Sequence, residues 1–180
     1  MKKILLILSI LSMFCTCYAD VIVEKGQVAP DFALYDVNGK KISLKNYKDK
    51  KVVLINIFAT YCEPCKEELP GFAKLWDKNK DNFEVISISI EKDKSLVEKF
   101  GKDLKLPFPV CIDYTRVCLN KYVKLDKLNL PVNILIGKDG KIIEITTFYK
   151  EEVLKKKLEE ALKNKDKEKE KEKKEEKKEK

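Results

Sequence analysis

A mostly apolar run from Val52 to Phe58, rich in β-branched residues, constrains the fold of this chain more than any other feature. A strand of that composition is typically buried on both faces, which requires covering elements above and below a sheet. A similar run, Phe83 to Ile90, and a shorter one, Pro109 to Ile112, alternate with segments whose apolar residues recur at helical spacing. The pattern predicts an α/β fold with a mixed central sheet flanked by helices.

Turn and helix signals complete this pattern. Asn38-Gly39 separates two short alternating segments and predicts a β-hairpin near the N-terminus, and Asp139-Gly140 predicts a second hairpin near the C-terminal end of the sheet. Helices are predicted over residues 63–79, 95–100 and 115–123, followed by a final amphipathic helix that carries Leu154, Leu158, Ala161 and Leu162.

The first nineteen residues differ from this body. A basic start precedes an apolar run from Ile4 to about Phe14, and small residues follow, which predicts a cleavable secretory signal over residues 1–19. The run is short for a membrane span. An uncleaved anchor, or a lipoprotein signal with Cys15 or Cys17 as the lipidated residue, remains an alternative.

The last residues, 163–180, consist almost entirely of lysine and glutamate. Because they offer no apolar face to bury, they are predicted to be disordered or to form a frayed helix. Their lysines are interleaved with acids, so the net charge of +8 on the chain does not indicate a nucleic-acid partner. Residues 20–162 are therefore predicted to be the folded domain.

Four cysteines lie in this domain, and the chain has no histidine. The absence of histidine removes most metal sites, histidine acid–base chemistry and a Cys–His nucleophile pair. An even number of cysteines in an exported chain permits disulfides. The four are Cys62, Cys65, Cys111 and Cys118.

Two residues separate Cys62 from Cys65, and the pair lies between a predicted buried strand and a predicted helix. A c-type haem would require histidine directly after the second cysteine, where Lys66 stands. A zinc site usually has two close ligand pairs, which Cys111 and Cys118 do not supply. A purely structural disulfide is conceivable. However, a cysteine at a helix N-terminus is stabilised as a thiolate, so the placement favours a redox-active pair.

From Gly26 to about Leu162 the chain resembles the thioredoxin-fold thiol–disulfide oxidoreductases of the ResA/TlpA type. Tyr61 stands where that family usually has tryptophan, and it preserves an aromatic rim. The resemblance implies a thioredoxin-like fold with an N-terminal β-hairpin extension. The matching segments are Gly26–Phe32 (GQVAPDF), Phe58–Lys66 (FATYCEPCK), Glu68–Pro70 (ELP), Phe108–Val110 (FPV), Leu130-Pro131 and Gly137–Lys141 (GKDGK).

Two related branches fit less well. The peroxiredoxin branch places its peroxide-reducing cysteine in a Pro-x-x-x-Thr/Ser-x-x-Cys stretch. Here Thr60 is one residue too close to Cys62, and no proline precedes it at the required distance. Copper-delivering relatives need a wider cysteine spacing and a histidine.

The resemblance implies the catalytic roles. Cys62 would attack a substrate disulfide as a thiolate, and Cys65 would resolve the mixed disulfide. Glu91, which follows the second buried strand, matches an acidic residue near the active site in the ResA branch and could exchange a proton with Cys65.

The resemblance also implies a substrate-binding surface. Pro131 matches a cis-proline that faces the active cysteines, and the backbone of Leu130 would pair with a bound peptide. Tyr61 would border the same surface.

The cysteine pair and the predicted signal favour an exported thiol–disulfide oxidoreductase. The resemblance implies that it is a reductase of disulfides in extracytoplasmic proteins such as apocytochrome c during cytochrome c maturation. It would need no cofactor beyond the cysteine pair, and the resemblance implies a membrane thiol donor as its source of electrons. It is expected to be a monomer in the periplasm or another extracytoplasmic space, free, membrane-anchored or lipidated. The alternatives are an oxidase or isomerase of the same fold, and a redox-inactive binding domain.

Cys111 and Cys118 have no place in this chemistry. Cys111 lies in a predicted strand and Cys118 on the inner face of the helix that follows, so their sulfurs could meet. The alternatives are a structural disulfide and two buried free thiols.

Overall fold

A computed structural model of the protein describes residues 21–176, with side chains as far as residue 163. The predicted signal over residues 1–19, with its lipidation alternatives at Cys15 and Cys17, lies outside the described residues. Within them, no helix is both long enough and apolar enough to cross a membrane.

Seven strands form one mixed sheet, as the alternating pattern predicts. The strands are β1 (Ala33–Asp36), β2 (Lys41–Ser43), β3 (Val52–Phe58), β4 (Phe83–Ser89), β5 (Val110–Ile112), β6 (Val132–Ile136) and β7 (Ile142–Thr146). Their order across the sheet is β2-β1-β5-β4-β3-β6-β7.

Strand β3 is the most enclosed element of the fold. It pairs in parallel with β4 and antiparallel with β6, and all seven of its residues are buried. Val53, Ile55 and Ile57 enter the apolar cluster on one face of the sheet, whereas alternate residues from Val52 to Phe58 face the other. The polar exception on that second face is Asn56.

Between residues 21 and 176, four α-helices accompany the sheet: α1 (Glu63–Asn79), α2 (Lys94–Asp103), α3 (Leu119–Tyr122) and α4 (Glu151–Glu176). Helices α1, α2 and α4 contribute apolar side chains to the cluster on the Asn56 face. The opposite cluster is covered by α3, the N-terminal segment and a 3₁₀ turn at Leu44–Tyr47. The expectation of helices on both faces is confirmed, although a single short helix serves the second face.

Both predicted hairpins are present. Strands β1 and β2 pair antiparallel around Gly39, whose φ of 82° suits a residue without a side chain. Strands β6 and β7 pair around Gly140, with a φ of 83°. Strand β1 also pairs with β5, which joins the N-terminal hairpin to the sheet.

The helix predicted over residues 115–123 is shorter than expected. Only Leu119–Tyr122 is helical, because buried Asp113 organises the preceding residues as a turn. Its carboxylate accepts hydrogen bonds from the Thr115 hydroxyl at 3.0 Å and the Leu119 N–H at 2.9 Å. Arg116 has a φ of 63°, outside the helical region.

Cys111 and Cys118 are free thiols, so of the two alternatives the disulfide is the wrong one for this structure. Both lie in the apolar cluster beneath α3. Burial raises the pKa of the Cys118 thiol to about 12 and that of Cys111 above its usual range. Disulfide exchange requires a thiolate, which this environment disfavours at both positions.

Helix α4 begins on the body of the protein and continues into the Lys/Glu-rich tail. Leu154 and Leu158 are buried against the sheet, and the backbone is helical as far as Glu176. At its start α4 approaches α1 closely, since a Cβ atom added to Gly71 would lie 3.3 Å from the Cβ of Glu151.

The strand directions bring the cysteine pair and the cis-proline segment to the same edge of the sheet. Strands β3, β4 and β5 are parallel and end there, and antiparallel β6 begins there. The turn that contains Cys62 follows β3 at this edge, and Pro131 precedes β6 at the same edge.

An Asp113→Ala substitution should weaken the fold because it leaves the buried Leu119 N–H without its acceptor. The expected loss is about 1–3 kcal/mol in the free energy of unfolding, measured by urea denaturation. Asp126→Ala, at an exposed position in the 3₁₀ turn Leu125–Lys127, is the control and should change stability little. Equal effects would contradict the role assigned to Asp113.

Mass mapping of the oxidised protein, alkylated after unfolding without reductant, should find label on both Cys111 and Cys118. Both thiols are free and buried, so unfolding is needed to expose them. A peptide containing a Cys111–Cys118 bridge would contradict the structure.

Candidate active site

The cysteine pair forms the N-terminus of α1. Cys62 is the N-cap residue, its Sγ accepts a hydrogen bond from the Cys65 N–H at 3.2 Å, and Pro64 occupies the first turn. Proline suits that position because its missing N–H would have no partner within the helix. The two cysteines are joined by a disulfide, with their Cα atoms 5.3 Å apart.

The two sulfurs differ in access. Cys62 keeps 8% of its surface exposed and Cys65 none, so an incoming thiolate or disulfide reaches Cys62 first. In the reduced state, the N–H groups and dipole of α1 favour Cys62 as the thiolate. Tyr61, 68% exposed, stands beside the pair.

The segment before β6 lies alongside this turn. The Leu130-Pro131 peptide bond is cis, as the resemblance implied. Val132 pairs with Ile57, which places Leu130 and Pro131 beside the end of β3. Leu130 is half-buried and Pro131 is buried. The pairing of the Leu130 backbone with a peptide, and the contact of Tyr61 with it, stay predictions.

Glu91 lies at the end of β4 and is bound to the turn before the cysteines. Its two carboxyl oxygens accept hydrogen bonds from the Thr60 N–H at 2.6 Å and the Thr60 hydroxyl at 2.8 Å. Its own N–H donates to the Ser89 hydroxyl at 3.0 Å. These contacts make Glu91 a brace for the Thr60 turn, and its proton exchange with Cys65 stays a prediction.

A second carboxyl, Glu68, lies nearer to Cys65 along the helix. The two residues are three positions apart on α1, a spacing that places side chains on the same face with Cβ atoms about 5–6 Å apart. Glu68 is only 3% exposed. Its carboxyl accepts hydrogen bonds from Asn56 Nδ2 at 2.9 Å, Asn133 Nδ2 at 2.8 Å and the Tyr149 N–H at 3.1 Å.

Burial changes the acid strength of this carboxyl. Desolvation raises the pKa of Glu68 from 4.5 to about 8, and the hydrogen bonds from Tyr149, Asn133 and Asn56 lower it in part. At neutral pH the carboxyl is therefore largely protonated in the oxidised protein. A neutral acid one helical turn from Cys65 is suited to exchange a proton with that thiol.

Glu68 is a site residue that was not predicted from the sequence. Two signals could have found it: a glutamate on the apolar stripe of α1 formed by Cys65, Leu69 and Phe72, and an asparagine within otherwise apolar β3. Strand β6 contains a similar buried asparagine, Asn133. Polar residues at buried positions of three neighbouring elements predict a shared hydrogen-bond network.

The stability of the oxidised protein should fall as pH rises, because the carboxyl of Glu68 ionises near pH 4.5 when unfolded and near pH 8 when folded. The contribution of the neutral carboxyl is fully present below about pH 4.5 and is lost as pH rises through about 8. Over that range wild type should lose a few kcal/mol that Glu68→Gln does not lose.

The measurement is urea denaturation of the oxidised protein at several pH values. Glu67→Gln, the exposed neighbour on the same helix, is the matched control and should keep the wild-type slope. Parallel slopes for wild type and Glu68→Gln would contradict the assignment of the raised pKa to Glu68.

Comparisons with known proteins agree with this geometry. The chain is 39% identical over 142 residues to the thiol–disulfide oxidoreductase ResA of Bacillus thuringiensis subsp. konkukian, covering 78% of each chain. It is 35% identical over 153 residues to ResA of Geobacillus thermodenitrificans, covering 82% of this chain and 86% of that one. A thiol–disulfide oxidoreductase structure from Bacteroides fragilis matches 74% of this chain and 98% of its own, with 28% identity and a TM-score of 0.63.

The model of the AhpC/TSA family matches residues 25–145, which include the cysteine pair, Glu68 and the cis-proline segment. The chain therefore belongs to the AhpC/TSA family of the thioredoxin superfamily and, within it, to the thiol–disulfide oxidoreductases of the ResA type.

Proposed function

We propose that this protein reduces disulfides in extracytoplasmic proteins, with apocytochrome c during cytochrome c maturation as the substrate. The observation that carries the proposal is the asymmetry of the cysteine pair: Cys62 keeps 8% of its surface exposed, whereas Cys65 keeps none and lies one helical turn from a carboxyl that is largely neutral at pH 7 in the oxidised protein. Such a pair can accept a substrate at one sulfur and release it with the other.

In the first step the Cys62 thiolate attacks one sulfur of the substrate disulfide. A bond forms between Cys62 Sγ and that sulfur, the substrate S–S bond breaks, and the second substrate sulfur leaves as a thiolate. The positive end of the α1 dipole stabilises the attacking thiolate before the bond forms. The Leu130-Pro131 segment is proposed to hold the substrate backbone beside Cys62 during this step.

In the second step Cys65 resolves the mixed disulfide. Glu68 is a carboxylate at this point because Cys65 took its proton when the pair was last reduced. The Cys65 thiol returns that proton to Glu68, and the resulting thiolate attacks Cys62 Sγ. The Cys62–substrate bond breaks and the remaining substrate sulfur leaves as a thiolate. Two electrons have moved to the substrate, and the pair is left as the disulfide seen in the structure.

A thiol donor must then reduce Cys62 and Cys65 again. When its thiolate attacks Cys62, the Cys65 sulfur leaves and takes a proton from the neutral Glu68 carboxyl. A second thiolate of the donor then attacks the donor sulfur bound to Cys62, so that Cys62 leaves as a thiolate and the donor is left as a disulfide. We propose a membrane-bound thiol protein as this donor, and no cofactor beyond the cysteine pair. The predicted signal over residues 1–19 supports an extracytoplasmic location, and the accessible site requires no second copy of the chain.

The reduction potential of the Cys62–Cys65 pair tests the direction of electron flow. A value of about −250 mV or lower supports a reductase, and one near −120 mV would replace this proposal with a disulfide oxidase. The substrate is tested with an oxidised peptide containing Cys-x-x-Cys-His. Reduction of that peptide no faster than insulin would end the apocytochrome c part of the proposal.

Cys65→Ser should trap the mixed disulfide with such a peptide, because the resolving thiol is missing, whereas Cys62→Ser should form none. Non-reducing electrophoresis and mass spectrometry of the adduct measure this. Cys111→Ala, which alters a buried cysteine outside the mechanism, is the control and should turn over normally. Trapping by Cys62→Ser instead would reverse the roles of the two cysteines.

A further inference from the structure

Three buried polar side chains from three elements meet behind the cysteine pair. They are Asn56 of β3, Glu68 of α1 and Asn133 of β6, each at most 3% exposed. Asn56 and Asn133 are directly opposite partners in the antiparallel pair of β3 and β6. Both therefore project from the same face of the sheet, towards α1.

The hydrogen bonds fix the orientation of Asn133. Its Oδ1 accepts from Asn56 Nδ2 at 2.8 Å, and its Nδ2 donates to Glu68 Oε2 at 2.8 Å. Exchanging O and N in this amide would set Nδ2 against the Asn56 donor and leave Glu68 Oε2 facing an oxygen. Asn133 can therefore serve Glu68 only as a donor in this network.

The two oxygens of Glu68 are not equivalent. Oε2 accepts two hydrogen bonds, from Asn133 Nδ2 and from the Tyr149 N–H, whereas Oε1 accepts one, from Asn56 Nδ2. Each carboxyl oxygen offers about two acceptor positions, so Oε2 is filled and Oε1 has one position open. The proton of the neutral acid therefore belongs on Oε1.

Asn133 also connects this carboxyl to the substrate surface. It lies two residues after Pro131, on the strand that the Leu130-Pro131 segment opens. Only Val132 separates Asn133 from Pro131, so the amide that holds Oε2 is attached to the same stretch of backbone as the substrate-binding segment. No step of the mechanism above assigns Asn133 a task.

We propose that Asn133 is a positioning residue for the proton step: by occupying Glu68 Oε2 it leaves Oε1 to exchange the proton with Cys65, and it joins that carboxyl to the substrate-binding segment. This inference rests on thiol–disulfide exchange at the cysteine pair, and not on its direction or its substrate. The proton passes between Cys65 Sγ and Glu68 Oε1, and Asn133 neither gains nor loses one.

Other groups on the helix and on the segment that contacts Glu68 also titrate, and their titration must be separated from that of Glu68. On α1 these include Cys62, Cys65 when reduced, and Lys74. From the neighbouring segment come the Tyr149 phenol and Glu151, which forms an ion pair with Lys74 at 3.2 Å. The test therefore uses the oxidised protein, in which the two active-site cysteines do not titrate, and observes the Glu68 carboxyl directly.

The experiment follows the side-chain carboxyl carbon of Glu68 by ¹³C NMR as a function of pH, in the full chain. Asn133→Ala removes a donor that favours the carboxylate, so the midpoint of the Glu68 titration should rise by about one unit, a tenfold change in acid dissociation. The control is Ser87→Ala. Ser87 donates to Asn56 Oδ1 at 3.2 Å within the same buried network, and this variant should keep the wild-type midpoint.

A folded Asn133→Ala with an unchanged midpoint would overturn the proposal, as would an equal shift in Ser87→Ala. If Asn133→Ala does not fold, Asn133→Ser keeps a smaller polar side chain too short to reach Oε2, and the same upward shift is expected. A second readout is the rate of insulin reduction as a function of pH. The pH at which this rate changes should move upward in the Asn133 variant, together with the midpoint of the Glu68 titration. If Asn133 had a purely structural role, its substitution would lower the stability of the protein but would change neither the Glu68 midpoint nor the pH profile of insulin reduction.

The titration does not depend on catalysis. If wild type fails to reduce any disulfide, the proposed function fails while the Glu68 midpoints still report on Asn133. If wild type is active and the midpoints do not move, only the role of Asn133 fails.

Discussion

The complete enclosure of β3 is the constraint on which the rest of this structure depends. The strand is hydrogen-bonded on both sides and packed on both faces, so its end is held at a fixed place in the sheet. The turn that follows can therefore be short, and it delivers Cys62 to the start of α1 with little freedom. Glu91, bonded twice to Thr60, braces the same turn from the neighbouring strand. Placing a reactive cysteine on an element-to-element junction, rather than on a long loop, gives the positional accuracy that exchange chemistry requires.

Burying Glu68 opposes stability, because a carboxylate loses its hydration in the interior. The three N–H donors offset part of that cost, but the pKa of about 8 shows that desolvation remains the larger effect. The result is an acid that is neutral when the cysteines are bonded and able to ionise in the pH range where thiols also titrate. A carboxyl with an ordinary pKa would be a poor match for a thiol, since the proton would then strongly favour the sulfur.

Much of this fold could be predicted because its signals are local. The apolar run of β3, the Asn38-Gly39 turn and the spacing of Cys62 and Cys65 each report on residues close in the chain. The cis bond before Pro131 followed from the family resemblance and is present. The predicted extent of α3 was too long because the side chain of Asp113 accepts a hydrogen bond from the backbone N–H of Leu119, six residues away. Helical spacing alone does not reveal such competition.

The site was predicted less completely than the fold, for a related reason. The cysteines can be recognised from their spacing in the sequence. The acid strength of Glu68, in contrast, depends on burial and on contacts with Asn56, Asn133 and Tyr149, which come from distant parts of the chain. Glu91 was predicted as the acidic partner from the family resemblance; its oxygens accept hydrogen bonds from Thr60, and its proton exchange with Cys65 stays a prediction. The free thiols at Cys111 and Cys118 likewise depend on an apolar environment that spacing does not describe.

The hydrogen bond from the Tyr149 N–H to Glu68 has a consequence for where the catalytic domain ends. The family match stops at residue 145, yet this donor lies four residues later, in the connection that leads into α4. The connection is held in place by Leu154 and Leu158 on the sheet and by the close approach of α4 to α1 at Gly71. A fragment that ends at residue 145 would keep both cysteines and the cis-proline. It would lose the Tyr149 N–H donor, and the carboxyl of Glu68 would become exposed to water. The smallest piece of this chain with an intact proton site therefore includes the first turns of its last helix.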